Sequence, residues 1–398
     1  MAGIIIIGTG HAAVQCAASL RDNGSSSTIT LLGGETDLPY HRPPLSKKYA
    51  VTGVPEEFSL LRAADFFEKN NIKLRLGKSV EAININQRCV VMGDSEKLSF
   101  DQLVIATGSQ PRVLSIPGIE HAFSLYSLDD ARTLCTRLGC TKTVAVIGGG
   151  FIGLEIAAAV AAAGQKVTVV EAAPQILGRS LTPSLAARVR KVHETGGLKF
   201  ISNTAVDAIR TDGVSTRDGF IEADLVICGA GSVARSELAE KAGLTTGNGI
   251  HVNRVLETSV PGIYAIGDVA CFETSTGEHR RYESVQNAND QARALARTLC
   301  GERTSYDALP WFWSDQGSIK LQMAGDSCGA SKVVAVDGEK APQTAAFCFN
   351  AQDHLCAVET INWPAYHALS RKALSGGRVI TRAHLESADY VLKTALKS

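Results

Sequence analysis

The sequence predicts an α/β fold with two Rossmann-like nucleotide-binding domains and a smaller C-terminal α/β domain. Three observations predict it. A glycine-rich segment occurs twice, as IIIIGTGHAA from Ile4 to Ala13 and as VAVIGGGFIG from Val144 to Gly153. In each copy a short apolar run meets a glycine turn and then an Ala-rich stretch of helical character, AAVQCAASL or LEIAAAVAAAG, which is the order of a βα unit in a parallel sheet. A second pair of apolar runs, QLVIATG from Gln102 and DLVICGAG from Asp224, follows each copy at a similar distance. Beyond Trp311 the texture changes to the short β-type runs SIKLQMAG, KVVAV and AAFCFN and then to two helical stretches. The last boundary falls near residue 312, with linkers near Pro111 to Pro117 and Gly243 to Gly249.

In the first copy Gly8, Gly10 and Ala13 fit GxGxxA. The first Gly permits the tight turn, the second lets backbone approach a pyrophosphate, and the small third residue packs helix on strand. Phosphate then sits at a helix N-terminus, where free N–H groups and the macrodipole contribute about 0.3 to 1 kcal/mol. In the second copy Gly148, Gly150 and Gly153 complete GxGxxG, and Glu171 ends the next strand, KVTVVE, where a carboxylate accepts hydrogen bonds from ribose hydroxyls. At the matching place in the first copy Leu31 and Leu32 lead to Gly33 and Gly34, and the nearest carboxylate is Glu35. A third landmark, GIYAIGDVA from Gly262, ends a strand on Gly267 and Asp268.

Composition narrows the classes. Lys plus Arg and Asp plus Glu number 40 each, so no global field points to nucleic acid or an anionic membrane. The Ala-rich run Ile156 to Ala163 is far short of the roughly 20 residues that cross a bilayer. The first strand begins at Ile4 with no targeting segment ahead of it, and the expectation is a cytoplasmic protein. The 10 Cys form no CxxC pair and no cluster-binding grouping, so neither a metal nor an iron–sulfur centre is expected in the chain. Cys135 and Cys140 have the CxxxxC spacing of flavin-linked disulfide reductases, but they precede the second glycine motif, too far along the chain for that role.

The segments GTGHAA, PYHRPPLSK, IATGSQPR, GGGFIGLE, YAIGDVA, ESVQNANDQAR and PWFWSD occur in the order seen in bacterial NADH-dependent ferredoxin reductases, and the chain resembles that family over essentially its whole length. The resemblance implies a discontinuous FAD domain, residues 1–110 and 245–312, an NADH domain, 111–244, and a C-terminal domain, 313–398. It implies that Gly8, Gly10, Ala12 and Ala13 hold the FAD pyrophosphate and that Glu35, Arg42, Val80, Ala106, Thr107 and Gly108 line the cofactor. Gly267 and Asp268 would reach the ribityl chain, Val285 would bring backbone to the isoalloxazine, and Trp313 would stand beside it. Lys47 would lie by the flavin, with Glu155 near both it and the nicotinamide. The NADH set would be Gly148, Gly150, Ile152, Gly153, Glu155, Glu171 and Gly231. Two departures stand out: Tyr126 occupies a position where many relatives carry Arg, and Ala234–Arg235 replaces a frequent Pro–Asn.

The implied activity is hydride transfer from NADH to FAD, then single-electron transfer to a two-iron two-sulfur ferredoxin that feeds a Rieske dioxygenase or haem monooxygenase. Such a ferredoxin is acidic, and Arg293 and Arg297, four apart on NANDQARALARTL, share one helix face suited to it. Disulfide reduction needs a Cys pair after the first module, where PYHRPPLSKKYA has none. The remaining alternatives are a flavoprotein that answers NADH by changing conformation, or a rubredoxin or quinone reductase.

Overall fold

The computed structural model describes residues 3–55, 58–377 and 379–395. The chain divides into two compact units, one of Met1–His41, Glu56–Gln110 and Ser232–Ala308, the other of Arg42–Pro55, Pro111–Gly231 and Leu309–Ser398. The expected fold class is the one observed.

In the first unit Ile4 to Ile7 are all buried, as an apolar run must be in a parallel strand covered on both faces. Strand Gly3–Ile7 lies between Ile29–Leu32 and Lys97–Ile105, with Ile72–Arg75 at one edge and Ile263–Ala265 at the other, all parallel. The long strand Lys97–Ile105 also pairs antiparallel with Cys89–Met92, which pairs with Val80–Asn84. Helix His11–Asp22 packs against helix Val285–Leu299, and their buried faces are built of small residues such as Ala13, Ala17, Ala292 and Ala296. Small side chains let the helices approach closely.

The second unit repeats the scheme. Its parallel sheet runs Lys199–Ile201, Lys166–Val170, Thr143–Ile147, Leu225–Cys228, and an antiparallel meander, Val206–Arg210, Gly213–Thr216 and Gly219–Glu222, accompanies it. The repeat extends to this meander, which the sequence did not reveal. The C-terminal part is a five-stranded antiparallel sheet ordered Trp311–Gln316, Ile319–Gly325, Leu355–Ile361, Thr344–Phe349, Lys332–Asp337, with helix Pro364–Ser375 packed on it. Among the described residues three helices follow Trp363 in place of the expected two, because Asp389 and Tyr390 take positive φ and separate Arg382–Glu386 from Leu392–Ala395. Among the described residues no helix is long and apolar enough to cross a membrane.

The C-terminal sheet grips helix Pro183–Thr195 of the nucleotide-binding part. Buried Glu359 accepts from the Thr182 backbone N–H at 3.0 Å and from its hydroxyl at 2.7 Å, so a carboxylate from one sheet caps that helix. Arg188 pairs with Asp337 from the same helix. Burial pushes the Glu359 carboxyl above its ordinary range, against the pull of the Thr182 and Ser327 hydrogen bonds. A raised folded-state pKa means that the folded form binds the proton more tightly, so the stabilisation is present at acid pH and is lost as pH rises through the raised range. Compared with Glu359→Gln, the parent is expected to lose relative stability as pH rises above the ordinary carboxylate range, read as urea midpoints. A parent that gains on the variant with rising pH contradicts this.

Candidate functional site

At the end of strand Gly3–Ile7 the chain must turn into a helix within three residues. Gly8 makes the turn at φ +127°, and a Cβ there would lie 2.2 Å from the Ala106 carbonyl oxygen, so Gly8 and Ala106 stand side by side at neighbouring strand ends. Gly10 is the N-cap in extended backbone; it offers no side-chain cap, the first turn holds no acidic residue, and nothing lies within 4 Å of where its Cβ would be. Uncapped N–H groups beside open space form an anion site. Behind it Ala12 and Ala13 are buried, and a Cβ on Gly267 would reach within 2.9 Å of the Ala12 Cβ. The Asp268 carboxylate accepts from Ser109 Oγ at 3.4 Å, and Glu35 accepts from Tyr40 at 2.5 Å. Thr107 Oγ1 donates to the Arg235 carbonyl at 2.8 Å, and the Arg235 N–H to the Gly108 carbonyl at 3.0 Å, so the departing Ala234–Arg235 segment clasps this strand end. Val80 opens a meander strand opposite Met92, and Val285 opens the helix that Ser284 caps.

Gln291, inside ESVQNANDQAR, has a place in this site that no local sequence signal shows. It is fully buried, its Oε1 accepts from the Gly267 N–H at 2.7 Å, and its Nε2 has no partner among the described residues. A buried donor without an acceptor beside the Gly267 turn is what an oxygen of a bound dinucleotide satisfies. Together with the open cradle at Gly10, it fits a dinucleotide in this unit.

The second unit carries the matching turn. Gly148 takes φ +103°, and a Cβ on Gly153 would lie 2.2 Å from the Gly148 carbonyl oxygen, the close helix–strand approach that its spacing implies. Gly150 caps helix Phe151–Ala162 as Gly10 caps its own, again with open space beside it. Glu171 accepts from the Gly149 N–H at 2.6 Å and from the Ala173 N–H at 2.7 Å, which pins its carboxylate to the loop. Ile152 is 52% exposed on the first helical turn, and the Gly231 carbonyl accepts from the Arg112 N–H at 3.0 Å.

Lys47 and Glu155 meet in this unit. Lys47 Nζ lies 2.9 Å from Glu155 Oε2 and donates to the Pro43 carbonyl at 3.1 Å, and the Ser46 hydroxyl donates to the same carboxylate oxygen. Ser314 donates to the other oxygen at 2.6 Å. Glu155 is 7% exposed, so its charge is kept out of water by hydrogen bonds on both oxygens. Arg42 donates to the Tyr126 carbonyl at 2.8 Å with its guanidinium 4.6 Å from the Tyr126 ring centroid, so the aromatic residue at the departing position holds a neighbouring cation. Trp313 sits next to Ser314, half-buried, with its ring 5.5 Å from that of Trp311. In the first unit, Arg293 pairs with Asp290 at 3.0 Å and Arg297 is exposed one turn further on.

The thiols point away from disulfide chemistry. Cys135 donates to the Val51 carbonyl at 3.6 Å and Cys140 is exposed, with both unpaired. Cys16, in the helix after the first glycine turn, is pushed up to about 12 by burial and then by the Cys300 thiol.

The empty space beside Gly150 makes a clean test. Gly150→Ala is expected to fold with stability within about 1 kcal/mol of the parent. It should weaken NADH binding about tenfold or more, because its methyl occupies the space a phosphate needs. Urea denaturation and calorimetric titration measure the two; unchanged affinity removes Gly150 from the site.

This geometry is that of a known group of proteins. Residues 2–292 match the pyridine nucleotide-disulphide oxidoreductase family, and residues 311–396 match the reductase C-terminal domain. Rhodocoxin reductase of Rhodococcus erythropolis is 39% identical over 99% of this chain and 94% of its own. Among solved structures, a ferredoxin reductase from Rhodopseudomonas palustris superposes with a TM-score of 0.94 at 38% identity, covering 98% of this chain and 99% of that one. Putidaredoxin reductase, in a covalent complex with putidaredoxin, gives 0.93 at 35% identity over 99% and 98%. The chain belongs to the pyridine nucleotide-disulphide oxidoreductase family, in the group of ferredoxin reductases that carry the reductase C-terminal domain.

Proposed function

We propose that the protein transfers electrons from NADH through FAD to a two-iron two-sulfur ferredoxin that serves an oxygenase. The observation that carries this reading is the Lys47–Glu155 pair, its carboxylate buried on the helix that the second glycine loop opens and its ammonium supplied by the segment 42–55. A disulfide reductase would need cysteines in the segment that supplies Lys47. FAD held in the first unit would supply the match between a two-electron hydride donor and a one-electron acceptor.

The roles we assign to the chain follow from its donors and charges. Gly8, Gly10, Ala12 and Ala13 receive the FAD pyrophosphate, Asp268 the ribityl hydroxyls and Val285 the ring by its backbone, with Glu35, Arg42, Val80, Ala106, Thr107, Gly108, Gly267 and Trp313 completing that set. Gly148, Gly150, Ile152, Gly153 and Gly231 receive NADH. Lys47 supplies the positive charge that favours the electron-rich reduced flavin, and Glu155 fixes that ammonium and orients the nicotinamide. The domain division we assign is 1–110 with 245–312 for FAD, 111–244 for NADH and 313–398 for the C-terminal domain. We assign the protein to the cytoplasm, where NADH is supplied.

Glu171 sets nicotinamide choice. Its pinned carboxylate accepts from ribose hydroxyls and repels a 2′-phosphate. The expected kcat/KM is at least about tenfold higher with NADH than with NADPH, a gap of about 1.4 kcal/mol or more. Glu171→Arg should narrow it, and equal parent values with the two dinucleotides would overturn the assignment.

The ferredoxin step is tested apart from the NADH step. Rim charges act mainly on encounter, and the Asp290 partner already offsets part of the Arg293 charge. Arg293→Glu is expected to slow reduction of putidaredoxin several-fold at low ionic strength and little at high salt, with flavin reduction by NADH unchanged. Stopped-flow of the two half-reactions separates them; transfer at the parent rate in low salt takes Arg293 out of the docking face.

A further inference from the structure

A row of buried polar side chains continues beyond the Lys47–Glu155 pair. Ser314 and Gln316 alternate on strand Trp311–Gln316, so both leave the same face, at 0% and 1% exposure. Gln316 Nε2 donates to Ser314 Oγ at 3.1 Å, and Gln316 Oε1 lies 2.8 Å from Nε2 of the buried His193 on helix Pro183–Thr195. The sense of each bond follows. The Gln316 amide nitrogen donates, so its oxygen accepts and His193 carries a proton on Nε2. Ser314 receives from Gln316 and gives its own proton to Glu155 Oε1 at 2.6 Å. Every proton in the row points towards the carboxylate. Burial lowers the His193 pKa, against the pull of its Gln316 hydrogen bond, so the row contributes dipoles without adding a second buried charge.

A strand that buries Ser and Gln at successive inward positions forgoes apolar burial, and such a row is stable only when each member is satisfied. We infer that Ser314 and Gln316 are positioning residues for the NADH reaction: they hold Glu155 Oε1 so that Oε2 is presented to Lys47 in one orientation. The inference rests on the assignment of Glu155 to the nicotinamide. Without the Ser314 hydroxyl, Oε1 loses its donor and the carboxylate is free to turn about its terminal torsion, which displaces the Lys47 ammonium with it.

The test uses the FAD-loaded protein and compares Ser314→Ala, Ser314→Thr, Gln316→Leu and Glu155→Gln. Flavin reduction is followed at saturating NADH, NAD+ affinity by calorimetry, and bound FAD and thermal midpoint alongside. Ser314→Ala is expected to reduce its flavin about tenfold more slowly and to bind NAD+ more weakly, with FAD content unchanged. Ser314→Thr, which keeps the hydroxyl, restores both, and Gln316→Leu shows the same loss in milder form. Should Ser314→Ala fail to hold FAD, Gln316→Leu gives the same reading one residue further from the carboxylate. If Glu155→Gln is slow while Ser314→Ala and Gln316→Leu keep the parent rate and NAD+ affinity, the row does not position Glu155 and the inference is overturned. If Glu155→Gln also keeps the parent rate, the assignment of Glu155 fails first and takes the inference with it.

Discussion

The second unit is organised around one buried negative charge. Taking a carboxylate out of water costs several kcal/mol unless its oxygens are paired and hydrogen-bonded. Glu155 meets that requirement with Lys47 and Ser46 from the segment 42–55 and with Ser314 from the C-terminal sheet. Three stretches distant in sequence are thereby held together, and it follows physically that residues 42–55 belong to the same compact unit as the second glycine loop and the C-terminal domain. The pair proposed for the chemistry is also a fastening of the fold.

The C-terminal sheet is tied to the nucleotide-binding part at both ends of one helix. Glu359 caps the start of Pro183–Thr195, and Gln316 meets His193 near its end. Both contacts are buried and polar, so they are directional as well as cohesive. A purely apolar contact would tolerate sliding. The Gln316 bond fixes the strand Trp311–Gln316 to helix Pro183–Thr195, and Ser314 of the same strand bonds Glu155 on helix Phe151–Ala162.

The repeated βα turn is used with different surroundings in its two copies. Both place a glycine at positive φ and leave a helix N-terminus uncapped beside open space. In the second copy the acid at the next strand end, Glu171, bonds the loop's own backbone. In the first copy Glu35 is instead held by a tyrosine hydroxyl. Gln291 and Gly267 add a buried amide donor to the first copy alone. On the proposed assignment one local device would serve two different dinucleotides, with the difference written in the residues around it.

The sequence alone determined the βα units, the two glycine turns and the residues within them, because these follow from local constraints. An apolar run buried on both faces becomes a parallel strand, and a turn at positive φ with backbone close behind it needs glycine. Glu171 was legible because it ends the strand after the second glycine turn, whereas Lys47 and Glu155 were named from the family resemblance of PYHRPPLSK and GGGFIGLE. The tertiary structure alone decided what satisfies them. Ser46, Gln291 and Ser314 lay inside quoted motifs without a role, and Gln316, His193 and Glu359 had no local signature at all. A polar side chain shows in sequence only its donors and acceptors. Which group it faces when buried depends on chain segments more than a hundred residues away, as with Ser314 and Glu155, and burial makes that pairing obligatory.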